Sequence, residues 1–195
     1  MSATPPLVLA STSPYRRELL ERLGLAFECV SPEVDETARP DESPAALVRR
    51  LSEAKARAGA GERSDALVIG SDQVAVIDQT ILGKPGSHAR ALEQLRRLSG
   101  RSVTFHTGLC LLDTRNGDCR LDVVDTRVRF RILDDATLER YLQREQPYNC
   151  AGSFKSEGLG IALFEAIQGD DPNALIGLPL IRLVSFLRDA GVQVP

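Results

Sequence analysis

Residues 7–20 read LVLASTSPYRRELL, in which a short apolar strand leads directly into a polar turn and the start of a helix. Ser13 can cap this helix, and Pro14 suits its first position because proline lacks the N–H group that would stay unbonded there. Strands that alternate with helices build α/β folds, whose ligands bind at the carboxyl ends of the strands. The stretch therefore predicts an α/β fold with a ligand site at residues 11–17.

The same turn has the properties of an anion-binding site. A helix N-terminus presents unbonded backbone N–H groups and the positive end of the helix dipole. Ser11, Arg16 and Arg17 would add a hydroxyl group and two cations beside it. An ordinary capped helix with solvated arginines would give the same pattern, since capped strand-to-helix turns are common.

Composition and charge limit the class of protein and the size of its ligand. The 195 residues are 43% hydrophobic, which suits one well-buried domain, and we assign it to residues 1–195. A net charge of −3 without a basic block argues against a nucleic-acid partner. The N-terminus lacks the basic region of a signal peptide, and no apolar run approaches the roughly 20 residues that span a membrane. We therefore expect a cytoplasmic protein with no membrane partner and a small ligand.

The cysteines suggest neither a metal centre nor a disulfide framework. They form no CxxC pair, and only two histidines accompany them. We expect them to be free thiols buried in the core. The four positions are Cys29, Cys110, Cys119 and Cys150.

Helical and strand periods alternate along the whole chain, without repeats or a low-complexity linker. Ser13, Ser43-Pro44, Asp134 and Pro179 mark helix starts, and a further helix carries Ala91 to Leu98. Strands are predicted at residues 7–10, 27–30, 66–70, 74–77, 81–82, 102–113, 119–131 and 161–167, with a hairpin at Asn116-Gly117. The pattern favours an α/β sandwich of sheet and helices over a bundle or a barrel.

Asp72 is the first candidate for catalysis. It follows the wholly apolar strand 66–70, which is of the kind buried on both faces, and we expect Ser71-Asp72-Gln73 to lie where that strand ends. A carboxylate in such partly apolar surroundings could take a proton from water. Asp72 could instead cap a turn, which is common for aspartate at such positions.

Three cations and one acidic loop accompany Asp72. The cations are Arg16, Lys55 and Lys84, each at the edge of a separate apolar element. Glu36 lies between Arg16 and Lys55 in the sequence, on a loop that is rich in acidic residues. Lys55 is close to the apolar stripe of its helix, where it needs a partner or must snorkel to solvent. Together these groups supply what nucleoside triphosphate hydrolysis needs, namely charge neutralisation and a carboxylate that orients water. The chain contains neither a P-loop GxxxxGK sequence nor GxGxxG, so it is not a P-loop enzyme or a Rossmann dehydrogenase by motif.

Several short motifs, taken together, resemble those of one protein family. The chain closely resembles the Maf family of nucleoside triphosphate pyrophosphatases from Leu7 to about Leu187, through LASTSPYRRELL, PEVDE, ALVRRLSEAKA, VIGSDQV, LGKP, LSGRSVTFHTGL, AGSFKSEGLG and GLPL. SDQ and SFKSEG make it most similar to the subgroup that acts on 7-methyl-GTP, whereas the dTTP/UTP subgroup carries an ADT- or SDT-like strand end. The resemblance implies a mixed, elongated central sheet flanked by helices, with two lobes and a cleft.

The resemblance also implies an activity and assigns roles by position. It implies hydrolysis between the α and β phosphates, which gives a nucleoside monophosphate and pyrophosphate, with Mg²⁺ or Mn²⁺ as cofactor. Asp72 would be the general base and, with Glu36, would contact the metal. The phosphate-binding residues would be Ser11, Arg16, Arg17, Lys55 and Lys84.

Selection of the base can be argued from the charge of the ring. Guanine methylated at N7 is cationic, so Tyr15 could stack on it and Glu157 could accept hydrogen bonds from its N1–H and amine. Gln73 offers an amide beside Asp72 that can donate and accept. Tyr15 could instead pack in the first helical turn, and Glu157 could be a solvated loop residue.

Two other functions remain open from the sequence. The chain could hydrolyse dTTP, UTP or a damaged nucleotide with the same catalytic residues and a different base pocket. It could also be a nucleotide-binding regulator of cell division, because Maf-like proteins have been associated with septum formation. The partner in each case is a small nucleotide, and a homodimer is an expectation from the family alone.

Overall fold

The computed structural model describes residues 5–194, so the first four residues and the last residue of the predicted domain lie outside the described part. Within it the strands are β1 Leu7–Ala10, β2 Phe27–Val30, β3 Leu67–Ile77, β4 Thr80–Leu82, β5 Ser102–Asp113, β6 Cys119–Phe130 and β7 Phe164–Gln168. The α-helices are α1 Pro14–Glu21, α2 Pro44–Ala60, α3 His88–Leu98, α4 Asp135–Glu145 and α5 Leu180–Asp189. Two 3₁₀ turns cover Ala151–Ser153 and Leu159–Leu163.

The strands form one mixed seven-stranded sheet in the order β2-β1-β3-β5-β6-β7, with β4 paired to β3. β1 runs parallel to both of its neighbours, and Leu7 lies opposite Phe27 on one side and Leu67 on the other. The β3–β4 and β6–β7 pairs are antiparallel. The predicted α/β fold with a mixed central sheet flanked by helices is confirmed.

The chain divides into two compact units. Within the described residues, unit 1 comprises residues 5–73, 107–124 and 171–194, and unit 2 comprises residues 74–106 and 125–170. The single domain expected over residues 1–195 stays a prediction. No helix between residues 5 and 194 is both long and apolar enough to cross a membrane.

Unit 1 has helices on both faces of its strands. Leu9 and Ile69 belong to a buried cluster that also holds the apolar residues of α1 and α5. Val8 and Val68, which alternate with them, belong to a second cluster with Ala56 of α2. A strand covered on both faces has no polar side, and this is why β1 and the first half of β3 are wholly apolar.

Helix α2 lies directly on the sheet because three glycines leave room for it. A Cβ atom on Gly70 would lie 2.0 Å from the carbonyl oxygen of Ser52, and one on Gly108 would lie 2.4 Å from that of Val48. A Cβ atom on Gly59 of α2 would lie 2.5 Å from Cβ of Ala10. The backbone of α2 therefore contacts the sheet without intervening side chains, and this sets the position of every residue on its buried face.

Unit 2 has an aromatic core. Four phenylalanine rings pack edge to face, with centroid separations between 4.8 and 5.6 Å. Such geometry matches the quadrupoles of the rings. The four residues are Phe105, Phe130, Phe154 and Phe164.

Most local signals are confirmed. Ser13, Ser43 and Asp134 are helix caps whose side chains accept backbone N–H groups. Gly117, with φ of 76°, lies in the turn between β5 and β6. The cysteines are free thiols, as expected, and the Sγ atoms of Cys110 and Cys119 are 3.3 Å apart. Burial was expected for all four, which is correct for Cys110 but wrong for the exposed Cys29, and Cys119 and Cys150 are only half-buried.

Two strand boundaries differ from the prediction by more than one residue. Residues 71–73 were expected at a strand end, but β3 continues through them to Ile77. The strand continues because its polar side chains bond inward: Ser71 donates to the carbonyl of Gly108, and Gln73 donates to Thr107. Strand β7 begins at Phe164 rather than at residue 161, since residues 159–163 form a 3₁₀ turn. Gly160 is required there, because a Cβ atom would lie 2.3 Å from the carbonyl oxygen of Lys155.

Candidate active site

Lys55 lies between two carboxylates in unit 1. Its Nζ is 2.6 Å from Oε1 of Glu36 and 2.6 Å from Oδ1 of Asp72. Lys55 is 8% exposed and Asp72 is 9% exposed, whereas the side chain of Glu36 is 62% exposed. The lysine is thus a buried, paired cation and does not snorkel to solvent. Such a pair offsets the cost of removing both charges from water only because the partners are in contact.

Helix α2 and strand β3 bring Lys55 and Asp72 together. The close approach of α2 at Gly70 places the helix against the strand two residues before Asp72. Ser52, one helical turn before Lys55, accepts a 3.0 Å hydrogen bond from the backbone N–H of Asp72 and donates to the carbonyl of Val48. Ser52 was not predicted from the sequence, although a serine at a buried position of an amphipathic helix is a usable signal for a hidden polar contact.

Arg16 is the second cation of this group. Its Nε donates a 2.8 Å hydrogen bond to the carbonyl oxygen of Gly177, which also accepts from Ser71 Oγ. Burial lowers the pKa of Arg16 from its usual value, and the negative charges of Asp72 and Glu36 oppose that shift. A guanidinium group remains protonated in proteins, so the site holds a partly desolvated permanent cation. Gly177 lies in the GLPL motif and was not predicted to contact the site.

The turn before α1 is ordered by its own hydroxyl groups. Ser11, which is buried, accepts a hydrogen bond from the N–H of Ser13, and Ser13 accepts one from the N–H of Arg16. Ser11 follows β1, the parallel neighbour of β3, so it lies beside the strand that carries Asp72. The helix N-terminus therefore has a fixed position next to the charged groups.

Arg17, Tyr15 and Gln73 also lie in unit 1. Arg17 is exposed and pairs with Glu21 at 3.0 Å along the helix surface. Tyr15 is half-buried in the first turn of α1. Gln73 uses its amide nitrogen within the fold, because Nε2 lies 2.9 Å from Thr107 Oγ1 and within 3.1 Å of the carbonyls of residues 174 and 175. The substrate contacts assigned to these three residues stay predictions.

Lys84 and Glu157 belong to unit 2. Lys84 is exposed in the segment between β4 and α3. Glu157 is exposed in the SFKSEG loop, where it contacts the hydroxyl of Ser156. Glu145 of α4 holds this loop, since it accepts from the N–H of Leu159 and pairs with Lys155. The structure groups Arg16, Glu36, Lys55 and Asp72 in unit 1 and places Lys84 and Glu157 in unit 2.

The carboxylates fit a divalent cation only in part. Between residues 5 and 194 no group of three or more His, Cys, Asp or Glu side chains could hold a metal ion. Glu36 and Asp72 both contact Nζ of Lys55, however, and two carboxylates with phosphate oxygens are a usual set of ligands for Mg²⁺. These two residues would therefore hold a hard cation only together with oxygen ligands from a bound molecule.

Comparison with known proteins places this arrangement in a family. A family model described as Maf-like protein matches residues 6–190. Proteins named 7-methyl-GTP pyrophosphatase are similar over nearly the whole chain. The relative from Nitrosococcus oceani is 60% identical over 98% of this chain and 96% of its own, and that from Pseudomonas fluorescens is 57% identical over 97% and 99%. A crystal structure of a protein from Vibrio cholerae covers 98% of this chain and all of its own, at 11% identity and a TM-score of 0.44, too low to support an argument. With its motifs, its fold and a family match over most of its length, the chain belongs to the Maf family.

Proposed function

We propose that this protein is a cytoplasmic pyrophosphatase that hydrolyses 7-methyl-GTP to 7-methyl-GMP and pyrophosphate. The observation that carries the proposal is the contact of Lys55 with both Glu36 and Asp72, beside the desolvated Arg16. Relatives that are 57–60% identical to this chain are named for the same reaction. A buried carboxylate held among cations suits hydrolysis of a polyanion better than it suits binding alone.

Asp72 serves as the general base in this mechanism. Its Oδ1 accepts from Lys55, and a carboxylate has further acceptor positions from which it can take a proton from water. The oxygen of that water attacks the α-phosphorus, the bond from this phosphorus to the bridging oxygen breaks, and pyrophosphate leaves with the electron pair. The proton passes to Asp72. A positioned base of this kind contributes about 10²–10⁴-fold to the rate.

The cations neutralise the phosphate oxygens. Lys55 exchanges part of its contact with the two carboxylates for the triphosphate, and Arg16 can present its remaining N–H groups while Nε stays on Gly177. A divalent cation bound with Glu36 and Asp72 would neutralise further charge on the phosphates. Ser11, Arg17 and Lys84 are proposed as additional phosphate contacts, and a small nucleotide is the proposed partner.

Metal dependence is a direct test of the acidic pair. We expect activity to require Mg²⁺ or Mn²⁺ and to vanish in excess chelator, because these hard cations bind carboxylate and phosphate oxygens. Glu36→Gln should raise the metal concentration for half-maximal rate, since the amide is a weaker ligand. Glu33→Gln, a change of the same type on the same loop, should leave it unchanged. Full activity with chelator present would contradict the role of the metal, and equal metal curves for the two variants would contradict that of Glu36.

Substrate ranking tests the proposed base contacts. We expect a higher kcat/KM for 7-methyl-GTP than for GTP, dTTP or UTP, because the cationic ring stacks on Tyr15 and pairs with Glu157. A cation–π contact of about 0.5–2 kcal/mol permits only a few-fold to roughly thirty-fold preference for 7-methyl-GTP. Any larger preference must come from the carboxylate of Glu157. Tyr15→Ala should selectively slow the methylated substrate, whereas Tyr15→Phe keeps the ring and should not.

Glu157→Gln should reduce the difference in kcat/KM between 7-methyl-GTP and the pyrimidine triphosphates. Pyrophosphate release from the four nucleotides, measured for each variant, checks both residues. If dTTP or UTP is the best substrate of the wild-type protein, the subgroup assignment is wrong, although hydrolysis at Asp72 would survive. If all four nucleotides bind and none releases pyrophosphate, the regulatory alternative is favoured.

A further inference from the structure

The loop that carries Glu36 contains no helix or strand. It comprises residues 31–43, between β2 and α2, and we call it the acidic loop. Glu36 itself is 62% exposed, so burial does not hold its carboxylate at Lys55. An exposed side chain on an irregular segment would otherwise occupy many positions. Contacts from a neighbouring element must therefore hold this loop in place.

Arg50 of α2 contacts the acidic loop at two places. Its Nε lies 2.7 Å from Oε1 of Glu42 and its Nη2 lies 2.8 Å from Oε2, which is a bidentate pair. The same Nη2 donates to the backbone carbonyl of Thr37 at 3.0 Å. Thr37 directly follows Glu36, so the guanidinium holds the backbone at the residue next to the carboxylate.

The pair between Arg50 and Glu42 is unlike an ordinary surface ion pair. The side chains are 21% and 9% exposed, and Glu42 also accepts the backbone N–H of Arg39. The hydrogen bond from Arg50 lowers the pKa of Glu42 to about 2. Glu42 therefore stays ionised through the neutral and mildly acidic range. A rigid bidentate fork of this kind fixes geometry, which a lysine at the same place would not.

The same helix carries both the anchor and the cation that Glu36 meets. Arg50 and Lys55 both belong to α2, which rests directly on the sheet at Gly70. The distance from the loop anchor to Lys55 is therefore fixed by one rigid element. Asp35, which accepts the N–H of Thr37, stiffens the backbone on the other side of Glu36.

We propose that Arg50 is a positioning residue that holds Glu36 at Lys55 through Glu42 and the carbonyl of Thr37. The effect of Arg50 on catalysis rests on the proposed function, because in that mechanism Glu36 helps to bind the divalent cation beside the phosphates. Loss of the fork leaves the buried pair of Lys55 and Asp72 in place and releases Glu36. The kcat at saturating Mg²⁺ should therefore change less than the Mg²⁺ concentration that gives the half-maximal rate.

The test uses Arg50→Lys, Arg50→Gln and Glu42→Gln, with Arg57→Gln as the matched control. Arg57 lies on the same helix and makes two hydrogen bonds to Glu53, so its ion pair lies within α2 and does not involve the acidic loop. The first readout is the rate at which a glutamate-specific protease cleaves the native, nucleotide-free chain after Glu36. The second is the Mg²⁺ concentration for half-maximal pyrophosphate release, measured also in Glu36→Gln and in the double variant with Arg50→Gln.

We expect the three loop variants to be cleaved about tenfold faster than the wild type, as the loss of one charge-assisted hydrogen bond predicts. Arg57→Gln should be cleaved at the wild-type rate. The loop variants should also need more Mg²⁺, and adding Arg50→Gln to Glu36→Gln should raise the requirement no further, because both changes remove the same contact.

Three results would overturn the proposal. In the first, the loop variants match Arg57→Gln in cleavage rate. In the second, cleavage rises while the metal requirement stays at the wild-type value, which makes Arg50 only a structural residue. In the third, the effects of Glu36→Gln and Arg50→Gln on the Mg²⁺ requirement are fully additive in the double variant. A wild-type chain that releases no pyrophosphate would instead overturn the proposed function, and the cleavage rates alone would then decide whether Arg50 anchors the loop.

Discussion

Asp72→Asn is expected to lower the rate of pyrophosphate release by about 10²–10⁴-fold while leaving triphosphate binding nearly intact. The amide has the shape of the carboxylate, and its oxygen can still accept the hydrogen bond from Lys55. It cannot take the proton of the attacking water. The kcat of the variant should therefore fall much more than its affinity for the nucleotide, which a calorimetric titration under non-turnover conditions measures.

Asp113→Asn is a matched control for this change. Asp113 is also a buried, ion-paired aspartate of unit 1, bonded to Arg115, and it has no place in the proposed mechanism. We expect its turnover to stay close to that of the wild type. Turnover near the wild-type value in Asp72→Asn would remove Asp72 from the mechanism, whatever the control shows.

Gly70→Ala is expected to lower the free energy of unfolding by more than about 3 kcal/mol, because the added methyl group meets backbone rather than a movable side chain. The new Cβ would lie 2.0 Å from the carbonyl oxygen of Ser52 and 2.6 Å from the backbone nitrogen of Ala56. Helix α2 can accept it only by moving away from β3. That movement would separate Lys55 from Asp72, so activity should fall together with stability.

Gly83→Ala provides the control for the same chemical change. A Cβ atom at Gly83 meets nothing within 4 Å, and its φ is not in the left-handed region. Its unfolding free energy should change by less than about 1 kcal/mol, since an alanine that fits the local backbone is neutral or slightly stabilising. Urea denaturation of both variants measures the difference. Equal stabilities would mean that α2 does not rest on the sheet at Gly70.

The sequence was sufficient for features that depend on neighbouring residues. The cap at Ser13, the proline that begins α1 and the turn at Gly117 follow from local hydrogen bonds and backbone angles. Alternating apolar runs identified the α/β class, because the period of the pattern is set by each helix or strand itself. The motifs also brought Glu36, Lys55 and Asp72 forward as candidates before their positions were known.

The polar contacts of the site depended on residues far apart in the chain. The end of the strand predicted at residues 71–73 was wrong because Ser71 and Gln73 find partners on β5 and in residues 174–177, which no local pattern specifies. Ser52 was missed for the same reason, since its partner is the backbone of Asp72 in another element.

The sequence by itself determined the fold class, most helix and strand boundaries and the residue types of the site. Tertiary structure alone decided that Lys55 lies between Glu36 and Asp72 and that Arg50 anchors the loop beside them. The physical reason is that hydrophobic periods and caps act within a few residues, whereas an ion pair forms only where packing places the partners. Here that packing depends on Gly70 and Gly108, because a glycine has no side chain that would keep α2 away from the sheet.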